Sequence, residues 1–254
     1  MNYTEEQFDQ LEKDERTLTD ETIAAMLLLL ADTRSNLEKE LRSFYQQYGK
    51  DGVVTYTEAR KWVSESDHRK RLAVLLLFVS SEFNKLFITL RPEFESMLNG
   101  VVAMEGNFFD VELDEDDLTD QIWGVDNQTW EDRLESNTEL WCAYIATEIK
   151  QSLLKRRNID ELLERIEKRF ASIESVLDKL GLTESTAVGS LARKKAFKLL
   201  GVDKYQFYTR EDERTCEVCG GMHGLIFPMT AYEVGVTASP LHPRCRCWEV
   251  PIWD

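Results

Sequence analysis

Histidine and proline are scarce in this chain of 254 residues, with three of the first and five of the second, and four of the five cysteines fall between Cys216 and Cys247. No apolar run approaches the roughly 20 residues that a membrane-spanning helix requires. The longest, Ile23–Ala31 and Leu72–Val79, are far shorter, so no membrane partner is expected. The opening MNYTEEQFDQ lacks both a basic n-region and an apolar h-region, which predicts no secretory signal and a reducing cytosolic environment for the thiols. Metalloprotease-type HExxH and deaminase-type HxE strings are missing, which argues against zinc hydrolase chemistry. Positive charge is thin in the first half, where residues 1–140 carry 14 Lys and Arg against 31 Asp and Glu. Such a surface repels phosphates, so DNA contact is expected to be weak and local at most.

The 43% of hydrophobic residues can fill one sizeable core or two modest ones, and up to about residue 200 their spacing is helical. Thr19 and Asp20 read as the cap of a helix carrying Ile23, Met26, Leu30, Leu37, Leu41 and Phe44. A long apolar helix is predicted from near Asp67, meeting Pro92 and giving way between about Asn99 and Asn127 to an irregular acidic excursion. Thr129 with Asp132, and Asn158 with Glu161, resemble helix-start boxes. Gly181 reads as a stop, and Thr183 as the cap of one more helix closed by Gly201. The basic strings at Lys155–Arg157 and Arg193–Lys195 read as solvated helix faces. Cys142 reads as a buried small hydrophobe, and Trp62, Trp130 and Trp141 as helical residues. The expectation is a mainly α protein in three parts: an acidic helical domain over 1–125, a helical core over 126–202, and a small α+β metal-binding module over 203–254.

Five of the twelve glycines and four of the five prolines lie from Gly201 onward, with strand-like alternation at Tyr205–Thr209 and in CWEVPIW. About 50 residues of this composition bury little apolar area and commonly need a metal or a disulfide. The pattern Cys216-x2-Cys219-x22-His242-x2-Cys245-x-Cys247 supplies a metal site, and zinc is the expected ion. Gly220 and Gly221 are expected to take left-handed backbone in the first turn, and Cys245 and Cys247 to face the same side of an extended segment. Tetrahedral zinc takes four ligands where five are offered, or six with His223. Arg214, Arg244 and Arg246 stand ready to offset the thiolate charge.

The string from KLGLTESTAVGS to CEVCGGMHGLIFP, followed by SPLHPRCRC, resembles the C-terminal domain of the phage Mu F-like minor head proteins, the phage head morphogenesis proteins. Thr183 and Glu184 match the family's helix-opening pair. Asp212, Arg214, Cys216 and Cys219 match its first cluster, and Gly224, Phe227, Pro240, His242, Pro243, Cys245, Arg246 and Cys247 its second. His223 departs from the acidic or amide residue usual there. The resemblance implies a non-enzymatic, portal-associated minor head protein that acts in head morphogenesis and genome delivery. It would partner the portal protein and other head proteins inside the virion, after assembly in the host cytoplasm. The alternative is a toxin- or effector-type enzyme, or a zinc hydrolase, carrying a Mu F-like domain.

Overall fold

The computed structural model describes residues 3–64, 66–124 and 126–253. It is mainly helical with a small sheet near the C-terminus. Four long helices, α1 (Glu5–Tyr48), α3 (Arg71–Phe109), α5 (Trp130–Leu154) and α6 (Ile159–Leu199), carry most of the chain. Two short helices, α2 (Tyr56–Ala59) and α4 (Glu115–Thr119), and a hairpin of β1 (Trp62–Ser64) with β2 (Asp67–Lys70) lie between them. After α6 come β3 (Lys204–Thr209), α7 (Glu217–Met222), β4 (Ile226–Pro228) and β5 (Cys247–Ile252).

The helices outrun their sequence signals. The first starts at Glu5, because Phe8 and Leu11 extend the buried stripe that continues through Met26, Leu30, Leu37 and Leu41. Its start carries a capping box that the sequence reading passed over: the Gln7 amide donates to Thr4 Oγ1 at 3.3 Å and the Thr4 amide to Gln7 Oε1 at 2.8 Å. Thr19 caps nothing; its hydroxyl bonds the Glu15 carbonyl at 2.8 Å and meets Ser185 Oγ at 2.6 Å. The third helix passes through Pro92 and ends only at Phe109, so the expected excursion shrinks to the stretch around α4, where Asp114 accepts the Asp117 amide. The sixth runs unbroken through Gly181 and Thr183. Leu177, Leu180, Leu182, Val188 and Leu191 are all buried, and that burial outweighs the roughly 1 kcal/mol a mid-helix glycine costs.

Both expected helix starts are capped, the first by a reciprocal box and the second by a one-way N-cap bond. Thr129 Oγ1 accepts the Asp132 amide at 3.2 Å while the Thr129 amide donates to Asp132 at 2.9 Å, and Asn158 Oδ1 accepts the Glu161 amide at 2.9 Å. Trp62, expected on a helix, lies instead in β1 with Lys70 Nζ 5.7 Å from its ring centre. Cys142 is half-buried rather than enclosed, and lines a groove of about 320 Å³ with Phe83 and Phe87. Helix α3 alone among the described helices is long and apolar enough to cross a membrane; the core helices of soluble proteins pass the same test.

Two compact units divide the chain, and each is discontinuous in sequence. One comprises Met1–Ala24, Pro92–Arg133 and Leu177–Asp254; the other comprises Ala25–Arg91 and Leu134–Val176. In the second, Phe83 stacks on Phe170 at 6.3 Å, and Glu148 is held by Arg165 and Arg169 at 2.7 and 2.9 Å. In the first, Phe94 stacks on Trp130 at 5.9 Å, and Phe109 packs edge-on against Phe197 at 5.4 Å. That unit also holds the antiparallel sheet, ordered β4-β3-β5, whose register sets Tyr205 opposite Phe227 and Thr209 opposite Cys247.

Candidate metal centre

The module's apolar cluster is small: Phe207, Cys219, Cys245 and Cys247, with Cys216, Met222, Phe227 and Leu241 packed around it. Half of those eight side chains are cysteines, so the sulfurs occupy the place of a core.

Each ligand candidate is delivered by a definite backbone feature. Cys216 is the N-cap of α7, its Sγ accepting the Cys219 amide at 3.4 Å, and one helical turn carries both sulfurs to the same side. Gly220 and Gly221 are helical residues here; the left-handed turn falls at Gly224 instead, with φ of 79°, because the chain reverses after α7 rather than within it. Cys247 opens β5, and Cys245 lies two residues earlier, after Arg244 at φ of 60°. All five cysteines are free thiols.

Distances gather the five expected ligands into two overlapping triads, Cys216–Cys219–His242 and Cys219–Cys245–Cys247, within which the donor atoms lie no more than 4.8 Å apart. Cys219 Sγ is 3.8 Å from Cys245 Sγ and 3.2 Å from His242 Nε2. A tetrahedral site with metal–sulfur bonds of about 2.3 Å has sulfur–sulfur edges of about 3.8 Å and sulfur–nitrogen edges of about 3.6 Å. The sulfur pair matches, and the imidazole sits slightly close. His242 Nδ1 lies 2.9 Å from the Pro243 carbonyl, which can only accept, so Nδ1 carries the proton and Nε2 turns its lone pair toward the sulfurs. These residues fit a thiolate-binding metal ion. The sixth candidate, His223, faces away: its Nδ1 accepts the Thr209 amide at 3.2 Å and its Nε2 points to Glu211 at 3.9 Å.

Protons are unevenly shared among these groups. Hydrogen bonds from the Cys219 and Cys247 thiols hold Cys245 down to about 2, and those two thiols are pushed up, in both cases chiefly by the Cys245 sulfur they face. The Cys219 amide lowers Cys216. Burial works to lower His242, but the Pro243 carbonyl and the Cys245 thiolate prevail and raise it.

Around the sulfurs, ion pairs pin the loops. Asp212 accepts the Arg214 amide at 2.9 Å and pairs with both terminal nitrogens of Arg246 at 2.7 and 2.6 Å, an arrangement that holds its carboxyl far below the ordinary range. Arg244 reaches Asp178 at 2.7 Å, and its amide donates to Thr183 Oγ1 at 3.1 Å. The pair matched in sequence as a helix opening therefore works inside α6. Thr183 ties down the loop before Cys245, and the buried Glu184 accepts from Arg133 at 2.9 Å and from Trp123 Nε1 at 2.8 Å. Arg133 also lies over the Trp123 ring, 4.6 Å from its centre. Sequence reading missed Arg133, since nothing local marks it as the partner of a glutamate 51 residues away. It also read Arg193 as solvated. The residue is buried, bonded to Glu105 and 3.5 Å from Glu249, while its neighbour Lys195 is exposed as expected.

Residues 143–250 match the family model described as phage Mu protein F like protein. This C-terminal stretch is Mu F-like. The match takes in α6, most of the sheet and all five gathered ligands, and leaves out α1 and α3. At family level it supports a phage head morphogenesis protein and, with that, association with the virion. No curated protein and no solved structure is significantly similar to the chain.

Proposed function

We propose that this is a portal-associated minor head protein of a tailed phage or prophage, acting in head morphogenesis and genome delivery through a Mu F-like domain stapled by zinc. The observation that carries the reading is the coincidence of the Mu F-like match with a sulfur-filled core whose spacing fits a tetrahedral ion. Zinc is held by Cys219, which belongs to both triads, with three more of Cys216, His242, Cys245 and Cys247. A sulfur-rich site of this kind closes its coordination and serves rigidity rather than hydrolysis. When bound, the metal supplies folding free energy to a module with little apolar area of its own.

The acidic half, with 31 Asp and Glu in residues 1–140, suits a protein partner better than a phosphate backbone. Co-sedimentation of the purified protein with the portal oligomer from the same genome tests the reading, with portal from an unrelated phage as control. Selective association with the cognate portal is the expected result. Absence of any association, together with toxicity relieved by a neighbouring gene product, would move the protein to the effector class.

A further inference from the structure

Beyond the sulfur cluster, the first unit contains a second concentration of ionisable groups, largely removed from water. Glu15 on α1, Glu105 on α3 and Glu249 on β5 converge on a single guanidinium, Arg193 on α6. Arg193 bonds Glu105 and lies 3.5 Å from Glu249 and 3.8 Å from Glu15. Glu249 is well supplied besides, accepting from Tyr232 Oη at 3.0 Å, the Ser239 amide at 2.6 Å and Ser190 Oγ at 3.3 Å. The other two carboxyl groups are not. Glu15 Oε1 and Glu105 Oε2 are buried with no hydrogen-bond partner, in residues only 9% and 0% exposed.

Three carboxylates around one arginine would leave two buried negative charges uncompensated, a state that costs far more than neutralising one group. The guanidinium already fills the position a metal cation would take among these oxygens. The remaining groups that face the cluster do not supply the missing charge. Glu12 adds a negative charge and is committed to Arg210, Arg16 pairs with Asp20 at 3.1 Å, and Arg246 is engaged by Asp212. Tyr232 is pushed further toward its neutral form by burial.

We propose that Glu15 and Glu105 form a one-proton carboxyl pair, with Glu15 the neutral acid donating to Glu105, so that a proton is the missing ligand of this site at neutral pH. A neutral carboxyl's carbonyl oxygen tolerates the lack of a partner that an ionised oxygen would not. Two carboxyls drawn to one buried guanidinium that a third already approaches cannot both ionise in such a place. Burial followed by the Glu105 charge drives Glu15 well above the ordinary carboxylate range. A cavity of about 20 Å³ beside Glu15 and Arg193 has room for one water. The pair joins α1 and α3, which lie outside the Mu F-like match, to Arg193 within it.

The sign of the consequence follows from linkage. The folded state binds a proton that the unfolded chain releases near pH 4.5, so this pair's contribution is full below that value and declines as pH rises toward the folded value. Infrared spectra of the wild-type protein at pH 7 are expected to show a protonated-carboxyl C=O stretch, when nearly all of the 47 acids are ionised. Glu15→Gln, a neutral group of the same shape, should remove that band, raise the melting temperature at pH 8 and flatten its decline between pH 5 and 8. Absence of the band in the wild type, its persistence in Glu15→Gln, or failure of Glu15→Gln to fold would each overturn the proposal.

Discussion

Glu184 and Arg133 show how a single residue can mislead when read locally. In the sequence Glu184 follows a threonine and resembles the acidic residue of a first helical turn, where the macrodipole would favour it. In the fold it sits mid-helix with its side chain 2% exposed, and Arg133, at 11%, is its counter-ion. Burial raises its pKa, and Arg133 opposes that rise. Removing one partner of such a pair strands the other charge, so Arg133→Met is expected to cost about 3–5 kcal/mol in urea unfolding. Lys168→Ala, which breaks a pair exposed on both sides, should leave the midpoint almost unchanged. Equal effects from the two substitutions would show that the Arg133–Glu184 contact carries no special weight.

Among the elements, the sheet and α7 differ from the long helices in what holds them. Each helix buries a stripe of large apolar groups, whereas α7 has six residues and buries only Cys219. Metal binding in such small modules is coupled to folding, with apparent free energies of order 10 kcal/mol. Chelation, or Cys219→Ser, is therefore expected to expose the chain after about residue 210 to protease while far-UV helical signal largely persists. Elemental analysis of untreated protein should find about one zinc per chain, by the tetrahedral four-ligand count. Cys142→Ala, a change at the half-buried thiol far along the sequence, should produce no selective cleavage. A module that stays resistant after chelation would mean that the sulfurs pack without an ion.

For the whole molecule, the net charge of −16 sets the long-range field. Of the two basic strings, Lys155 and Arg156 are exposed, but Arg193 is consumed by the buried carboxylates. A gel shift at physiological ionic strength is accordingly expected to show little DNA binding; tight binding with a steep salt dependence would contradict the protein partner proposed above. Much of the architecture was legible in sequence because it depends on neighbours along the chain. The helical period, the caps at Thr129 and Asn158, the alternation of β3 and the grouping of Cys216, Cys219, His242, Cys245 and Cys247 are all local patterns, and the Mu F-like resemblance rested on the same strings. Helix ends were less legible. A stop signal at Gly181 and a start signal at Thr19 are each worth about 1 kcal/mol, and burial on both sides of them is worth more. What only the tertiary structure decided is which charges are buried together. Glu15, Glu105, Arg193 and Glu249 come from four elements and have no spacing that announces them, because their pairing is fixed by helix and strand packing, and desolvation then dictates which of them can remain charged.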